Sequence, residues 1–349
     1  MEVGVNYPWV NYGWDFGLGP PQWRGTETSP AWYEQIDQHL QLFSMLGISV
    51  VRWFILADGL TYGIGGDAPR PDPTPGKGWR FDPPPLGPEF LEHFEELLIR
   101  FVNFNRDAAR PIRLLPVLID FHFCEPGNMP IIKPDPVNEH HTIPDPDWVK
   151  QGRADVITDT NKRRRFLDQA LDPLLRVSQA HREVIYAWEL INEPEWITNT
   201  WHPDHKLNHP ITAPSMRAFL NEGKARIRRA GLKSTIGFAS FDTLRRSRIT
   251  AEINQFHHYA NGVRTLKRHP FNARYPCIIG EFATASTDIW PELTRTGQSV
   301  LNRLKLAAVQ GYPLAIPWSF LAMDRHTSWS LTIQHDLEYF SQGKTASNG

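Results

Sequence analysis

The chain has 349 residues, with 37 basic and 38 acidic side chains and a formal net charge of −1, so its charge offers no electrostatic grip on nucleic acid or an anionic membrane. Its hydrophobic content of 41 % supports a large core, and no run reaches the roughly 18 apolar residues that span a bilayer. Only two cysteines occur, Cys124 and Cys277, too few for a disulfide-built secreted scaffold, so they read as free, partly buried thiols.

The first strand signal, Glu2–Tyr7, starts at once and leaves no room for a signal peptide. The expectation is a cytoplasmic protein, or a secreted one if a leader has been removed. A helical pattern over 31–46 stops at Gly47. The strand signal Ile48–Ile55 follows, and then a segment, 56–88, dense in proline. A helix over 89–106 leads to the third strand signal, Arg113–Phe121, and a second proline-rich segment, 124–147. Both segments read as long, stiffened loops between elements, not as linkers between domains. A helix over 162–181 precedes Val184–Ile191, and a helix over 214–230 precedes Ser234–Ala239. The sixth signal is Glu252–Tyr259. The gaps after the fifth and sixth strands are short and predict brief or irregular helices. Cys277–Phe282, a helix over 294–310 and Pro313–Phe320 complete the series. Several strands are near-continuous apolar runs, as in parallel sheets buried on both faces. Eight β/α units predict an α/β fold, a (β/α)8 TIM barrel, as one domain over 1–340 with a flexible tail over 341–349. An open doubly wound sheet is the alternative, but no G-x-G-x-x-G follows the first strand.

In such a barrel, chemistry gathers at the C-terminal strand ends. Those ends carry Arg52, His122, Asn192-Glu193-Pro194, His257-His258-Tyr259, Gly280-Glu281-Phe282 and Trp318. Two carboxylates among them suit glycosidic bond cleavage, in which one acid protonates the leaving oxygen and another carboxylate attacks the anomeric carbon or activates water. The two need different pKa values and hence different surroundings. Arg52 and a hydrogen bond from Tyr259 would keep Glu281 ionised, and a dry setting among Trp188, Trp196 and Trp201 would keep Glu193 protonated. The 13 tryptophans suit the apolar faces of sugars or a large core.

The stretch AWELINEPEW (187–196) resembles the strand-four motif of clan A glycoside hydrolases, family 5 in particular. The resemblance implies Glu193 as acid/base and Asn192 as the ligand of the sugar 2-hydroxyl. IIGEF resembles the strand-seven motif and implies Glu281 as nucleophile. VVRWF implies Arg52 as its support, and FHHY implies His257 and Tyr259. DFHF implies His122, Trp318 the floor of the −1 subsite, and GVNYPW is similar to the first strand. The clan is retaining, so a glycosyl-enzyme on Glu281 is implied. AWEL-x-NEP and VVR-x-F look most like the β-mannanase and β-mannosidase branch. The proline-rich insertions depart from that branch; they would wall the cleft and favour a short, blocked site for oligosaccharides.

The expected function is therefore a retaining hydrolase of β-mannosidic or β-glucosidic oligo- or polysaccharides, without metal or cofactor, whose partner is an oligosaccharide or glycoside, not nucleic acid or membrane. Alternatives are an inactive carbohydrate-binding barrel and a transglycosylase with the same site. His122, His257, His258 and Asp120 could suggest a metal centre, but no H-x-H or H-E-x-x-H set is present. Glu189, deeper on strand four, reads as a buried partner for an arginine. Glu195 and Glu125 are subsite candidates, although loop carboxylates are usually solvated. Trp9, Trp14 and Trp23 form either a sugar platform or loop packing, and Trp9 and Trp196 join the candidate substrate ligands. Trp53 should face outward, His258 should be a core residue, and the basic clusters 161–166 and 268–276 should be solvated helix faces.

Overall fold

The computed structural model describes residues 1–10, 14–17, 32–73, 78–127, 129–134, 142–201, 211–259, 266, 275–284, 299–321 and 329–343. Eight parallel strands close into a barrel: β1 (Glu2–Asn6), β2 (Ile48–Phe54), β3 (Arg113–Asp120), β4 (Trp188–Asn192), β5 (Ser234–Phe238), β6 (Asn254–His257), β7 (Cys277–Ala283) and β8 (Leu314–Trp318). Each pairs with its chain neighbour, and β1 closes the ring on β8 through Glu2↔Leu314 and Val3↔Ala315. The helices between and after them include α1 (Trp32–Met45), α2 (Pro88–Asp107), α3 (Thr160–Phe166), α4 (Asp172–Ala180), α5 (Ala213–Arg229), α6 (Phe241–Ser247), α7 (Val300–Val309) and α8 (Leu331–Ser341), with a single turn, Asp155–Thr158, ahead of α3. None of the described helices is long and apolar enough to cross a membrane.

The strands bury both faces, which is why they read as apolar runs. Along β2, Val50, Arg52 and Phe54 point into the lumen while Val51 and Trp53 point toward the helices, the period-2 alternation of a strand. A small inner cluster, including Val50, Leu115, Val117, Ile278, Leu314 and Ile316, plugs the lower lumen. A larger cluster fills the shell between barrel and helices. Trp53 belongs there, fully buried, with its indole donating to Asp15 at 2.9 Å. Cys124 and Cys277 are both free and buried.

The expected elements recur with local differences. β4 begins at Trp188, because Arg182–Val184 form a 3-10 turn and Ile185 makes only an isolated bridge to Leu114. The helix after β5 is brief, seven residues long; residues 260–265 and 267–274 after β6, and 294–298 before α7, lie outside the described residues. The second proline-rich segment is not a plain loop. Met129–Pro134 and Thr142–Lys150 pair as an antiparallel ribbon, with Pro130, Pro134 and Pro144 set opposite Val149, Thr142 and Ile132. A two-stranded ribbon tolerates proline because each strand has an edge that needs no donor. The first segment likewise holds a two-residue ribbon, Arg70–Pro71 with Trp79–Arg80. Of the tail expected from 341, Ser341 ends α8, and residues 344–349 lie outside the described residues.

Candidate active site

The base of the site is an arginine. Arg52 is wholly buried, and its guanidinium forks onto Glu189, Nε to Oε2 at 2.7 Å and Nη2 to Oε1 at 2.6 Å. Nη2 also donates to Asn192 Oδ1 at 2.8 Å, and Nη1 donates to Asn6 Oδ1 at 2.8 Å and to Glu281 Oε1 at 2.5 Å. Burial works against the charge, but Glu189 and Glu281 outweigh it and hold Arg52 protonated above its ordinary range. Gln255 completes this layer, donating to Glu189 Oε2 at 2.8 Å and accepting from Thr235 at 3.2 Å. Two glycines make room: a Cβ on Gly237 would stand 2.2 Å from Glu189 Oε1, and one on Gly280 would stand 2.3 Å from Gln255 Nε2.

Above this layer sit two carboxylates. Register shifts in β4 and β7 break the strict alternation, so that Asn192 and Glu281 turn to the lumen as Glu189 and Gly280 do. Glu193 follows in left-handed backbone, φ 48° and ψ 53°, uncommon outside glycine and asparagine, as the chain swings into the 3-10 turn Pro194–Ile197. Its Oε2 accepts from the Trp196 indole at 2.7 Å, and its Oε1 lies 2.8 Å from His257 Nδ1. Glu281 Oε2 accepts from Tyr259 at 2.6 Å and lies 3.4 Å from the same Nδ1. Carboxylate oxygens of Glu193 and Glu281, with a nitrogen of His257, all lie within 4.8 Å of one another.

The protonation preferences follow from the contacts. Burial pushes Glu193 up to about 7, the Trp196 hydrogen bond pulling the other way. Burial also raises Glu281, opposed by His257, Arg52 and Tyr259. Of the two, only Glu281 has an arginine bonded to it, so Glu281 is the better seat for a negative charge. Burial drives His257 down to about 4, so its ring is neutral near pH 7. Its Nε2 is buried without a hydrogen-bond partner among the described residues. The tautomer that costs least keeps the proton on Nδ1, facing both carboxylates, and leaves Nε2 a bare acceptor.

A cavity of about 840 Å³ opens over these groups. Trp318, Phe54 and Trp9 line one flank, with the Phe54 ring 6.2 Å from each tryptophan. Trp196, Phe121 and His122 line another, and Tyr259, Asp58, Asp120 and Asn192 add polar lining. Asp120 accepts from Asn192 Nδ2 at 2.7 Å and from the His122 backbone at 3.0 Å, and its carboxylate contacts His122 Nδ1. Burial alone would lower the His122 pKa, but the bond to Asp120 reverses this and raises it to about 9. His122 is thus an imidazolium at the cavity edge.

Of the residues singled out in the sequence, Glu193, Glu281, Asn192, His122, Tyr259, Trp196, Trp318 and Trp9 line this cavity, while Arg52 and His257 lie directly beneath. The expected tryptophan shelter of Glu193 is reduced to Trp196. Trp188 faces the helices and donates to Ser178, and Trp201 packs on Phe238, because both occupy outward-facing positions. Glu195 is not solvated; it is 1 % exposed. Glu125 accepts from Gln151 at 2.8 Å. His258 is half-buried beside Phe256, Trp14 is half-buried, and Trp23 lies outside the described residues. In 161–166, Arg163 is buried against Glu222 and so departs from a solvated face; most of 268–276 lies outside the described residues. Sequence reasoning missed Asn6, Gln255 and Asp58. Asn6 and Gln255 are polar residues inside apolar strands, and Gln255 lies two residues before His257 on the same face, a signal available from alternation alone.

Glu193, His257 and Glu281 also form a grouping able to hold a metal ion. Both oxygens of Glu281 are already engaged, one by Arg52 and one by Tyr259, and a cation would have to displace or sit against Arg52.

A scan against protein-family models finds no match, and a search of curated proteins by sequence finds none. Solved structures do match. The endo-1,4-β-mannanase of Eisenia fetida superposes with a TM-score of 0.67 at 19 % identity, over 97 % of this chain and 90 % of that one. The β-mannanase of the blue mussel Mytilus edulis gives 0.62 at 17 %, over 100 % and 93 %. The exo-β-1,4-mannosidase Op5Man5 of Opitutaceae bacterium strain TAV5 gives 0.56 at 16 %, over 98 % and 59 %. What is shared at these identities is the fold, the closed eight-stranded β/α barrel.

Proposed function

We propose that this chain is a retaining β-glycoside hydrolase acting on β-mannosidic or β-glucosidic chains, with Glu281 as nucleophile and Glu193 as acid/base. The observation that carries the reading is the pair itself: a half-buried and a buried carboxylate with oxygens within 4.8 Å, the buried one tied to an arginine and the other to an indole. A separation of about 5–5.5 Å suits direct attack by one carboxylate, whereas inverting enzymes leave about 6.5–9.5 Å for a water. The β-mannanases among the similar structures favour β-mannosides.

In the first step Glu281 Oε forms a bond to the anomeric carbon as the glycosidic C–O bond breaks, and the Glu193 proton passes to the leaving oxygen. In the second, ionised Glu193 takes a proton from water, whose oxygen attacks the anomeric carbon and frees Glu281. Arg52 and Tyr259 stabilise the Glu281 carboxylate at the start and end of the cycle. Asn192, fixed between Arg52 and Asp120, presents its amide toward the sugar, and Trp318 offers an apolar face. His257, neutral, holds the two carboxylates apart without adding charge.

The test is hydrolysis of aryl β-mannoside and β-glucoside by wild type, Glu193→Ala and Glu281→Ala, with and without EDTA. Both variants should lose at least about 10²–10⁴-fold in rate. Azide should restore turnover through a β-azide product in Glu193→Ala alone, and EDTA should leave the wild type unchanged. Full activity in either variant, or loss on chelation, defeats the assignment.

A further inference from the structure

The first proline-rich segment and the end of the ribbon after β3 meet at one side chain, Arg153. It is fully buried, and its guanidinium donates to Tyr62 O from Nε at 3.0 Å and from Nη2 at 2.7 Å, to Val149 O at 2.9 Å, to Gln151 O at 2.7 Å and to Gly63 O at 3.3 Å. Phe81 and Phe123 cover it, their ring centroids 5.1 and 5.4 Å from the guanidinium carbon. Burial lowers its pKa to about 9, which leaves it charged near neutral pH. A buried guanidinium is tolerated only when its donors are satisfied, and here backbone carbonyls of the loop after β2 and of the chain at and just past the end of the ribbon after β3 satisfy it. Gly59, at φ +91°, has no space for a side chain: a Cβ would stand 2.6 Å from the Arg153 guanidinium. Backbone bonds from Gln151 to Asp58 at 3.0 Å, Gly152 to Glu125 at 2.9 Å and Arg153 to Phe123 at 3.2 Å extend the seam. The loop after β2 and the ribbon after β3 are thus one wall. Its inner surface gives the cavity Asp58, only 4 % exposed and 3.5 Å from Lys150, and His122.

We propose that this wall closes the glycone side of the cavity, so that the protein takes the non-reducing end of a short β-linked chain and releases one small product from it, with Asp58 and His122 gripping hydroxyls of the terminal sugar. The inference rests on the hydrolase reading above. In a double displacement the leaving group must depart, and water must enter, while the glycone stays on Glu281. A wall pinned by a buried arginine stays in place through turnover; on the leaving-group side it would trap the first product, so it bounds the glycone side, and the freed glycone later departs through the same open side as the leaving group. A carboxylate acceptor beside an imidazolium donor suits neighbouring hydroxyls on one ring, which offer a donor and an acceptor together.

The experiment follows products from β-1,4-mannopentaose and cellopentaose, each reduced at its reducing end, and the viscosity of soluble β-mannan, with wild type, Asp58→Ala and Asp58→Asn. Expected from the first turnovers is a single unreduced mono- or disaccharide plus the shortened reduced chain, with viscosity nearly constant. Asp58→Ala should raise KM on the better pentasaccharide at least tenfold with an unchanged unfolding midpoint, and Asp58→Asn should recover part of that loss. A spread of internal products with a rapid fall in viscosity overturns the closed end while leaving the hydrolase reading intact, and so does a KM within twofold of wild type in Asp58→Ala. No hydrolysis of either pentasaccharide or of aryl glycosides overturns the hydrolase reading and this inference together.

Discussion

At the scale of single residues, the hydrogen bond from Trp196 to Glu193 is the finest control in the site. It favours the ionised carboxylate and so works against burial, which lifts Glu193 to about 7. In the proposed cycle Glu193 must carry its proton to start, so kcat/KM should fall as pH rises through about 7. Removing the indole donor in Trp196→Phe removes a pull toward ionisation. The alkaline limb should then move to higher pH, by about half a unit to one unit; a limb that stays in place, or moves down, shows that the indole does not tune this carboxyl. The carboxylates and their direct partners were legible from the sequence because strand-end position and motif coincide at Glu193, Glu281, Arg52 and Tyr259. Asp58 was not legible: a lone acid in a proline-rich loop looks like a solvated one until the loop is seen folded against the ribbon.

At the scale of elements, the barrel depends on β5 passing close to β4. Gly237 leaves the space that the Glu189 carboxylate fills. Gly237→Ala should push Glu189 off Arg52 and cost about 1–3 kcal/mol of stability, the usual range for overpacking. It should also lower turnover more than Gly87→Ala, since nothing lies within 4 Å of a Cβ at Gly87. Denaturant unfolding and kinetics of both variants check this, and equal effects would deny the glycine its role. The eight strands themselves were readable, because burial on both faces makes each an apolar run bounded by turns. The start of β4 was not, since Val184 and Ile185 are apolar for the sake of the outer shell and not of the sheet. The ribbon after β3 was missed because its prolines argue locally for loop, while its pairing is set by a partner strand about ten residues on and by Arg153 just beyond it.

At the scale of the whole molecule, stability should carry the imprint of carboxyls buried near neutrality. Burial, with Glu193 nearby, lifts Glu195 to about 8. A carboxyl whose folded pKa lies above its unfolded value of about 4.5 binds its proton more tightly when folded. Its contribution is complete below the unfolded pKa and is lost as pH rises through the folded value. The protein should therefore become less stable between about pH 5 and pH 8. Glu195→Gln, which keeps the shape and removes the titration, should flatten that slope and stabilise the fold at pH 8 by on the order of 1–3 kcal/mol. Unfolding free energies at pH 5, 6.5 and 8 decide it; parallel slopes in variant and wild type would place the titration elsewhere.

The sharing of Arg52 between Glu189 and Glu281 has a meaning for the proposed reaction cycle. When Glu281 becomes an ester its charge disappears, and an arginine serving it alone would be stranded as an isolated cation deep in the barrel. Glu189 remains on the same guanidinium throughout. The three groups together alternate between one net negative charge and none, and never pass through a net positive state. In the proposed cycle the positive oxocarbenium character at the anomeric carbon would therefore develop over a floor that is never cationic, kept so by Glu189 from beneath the sugar.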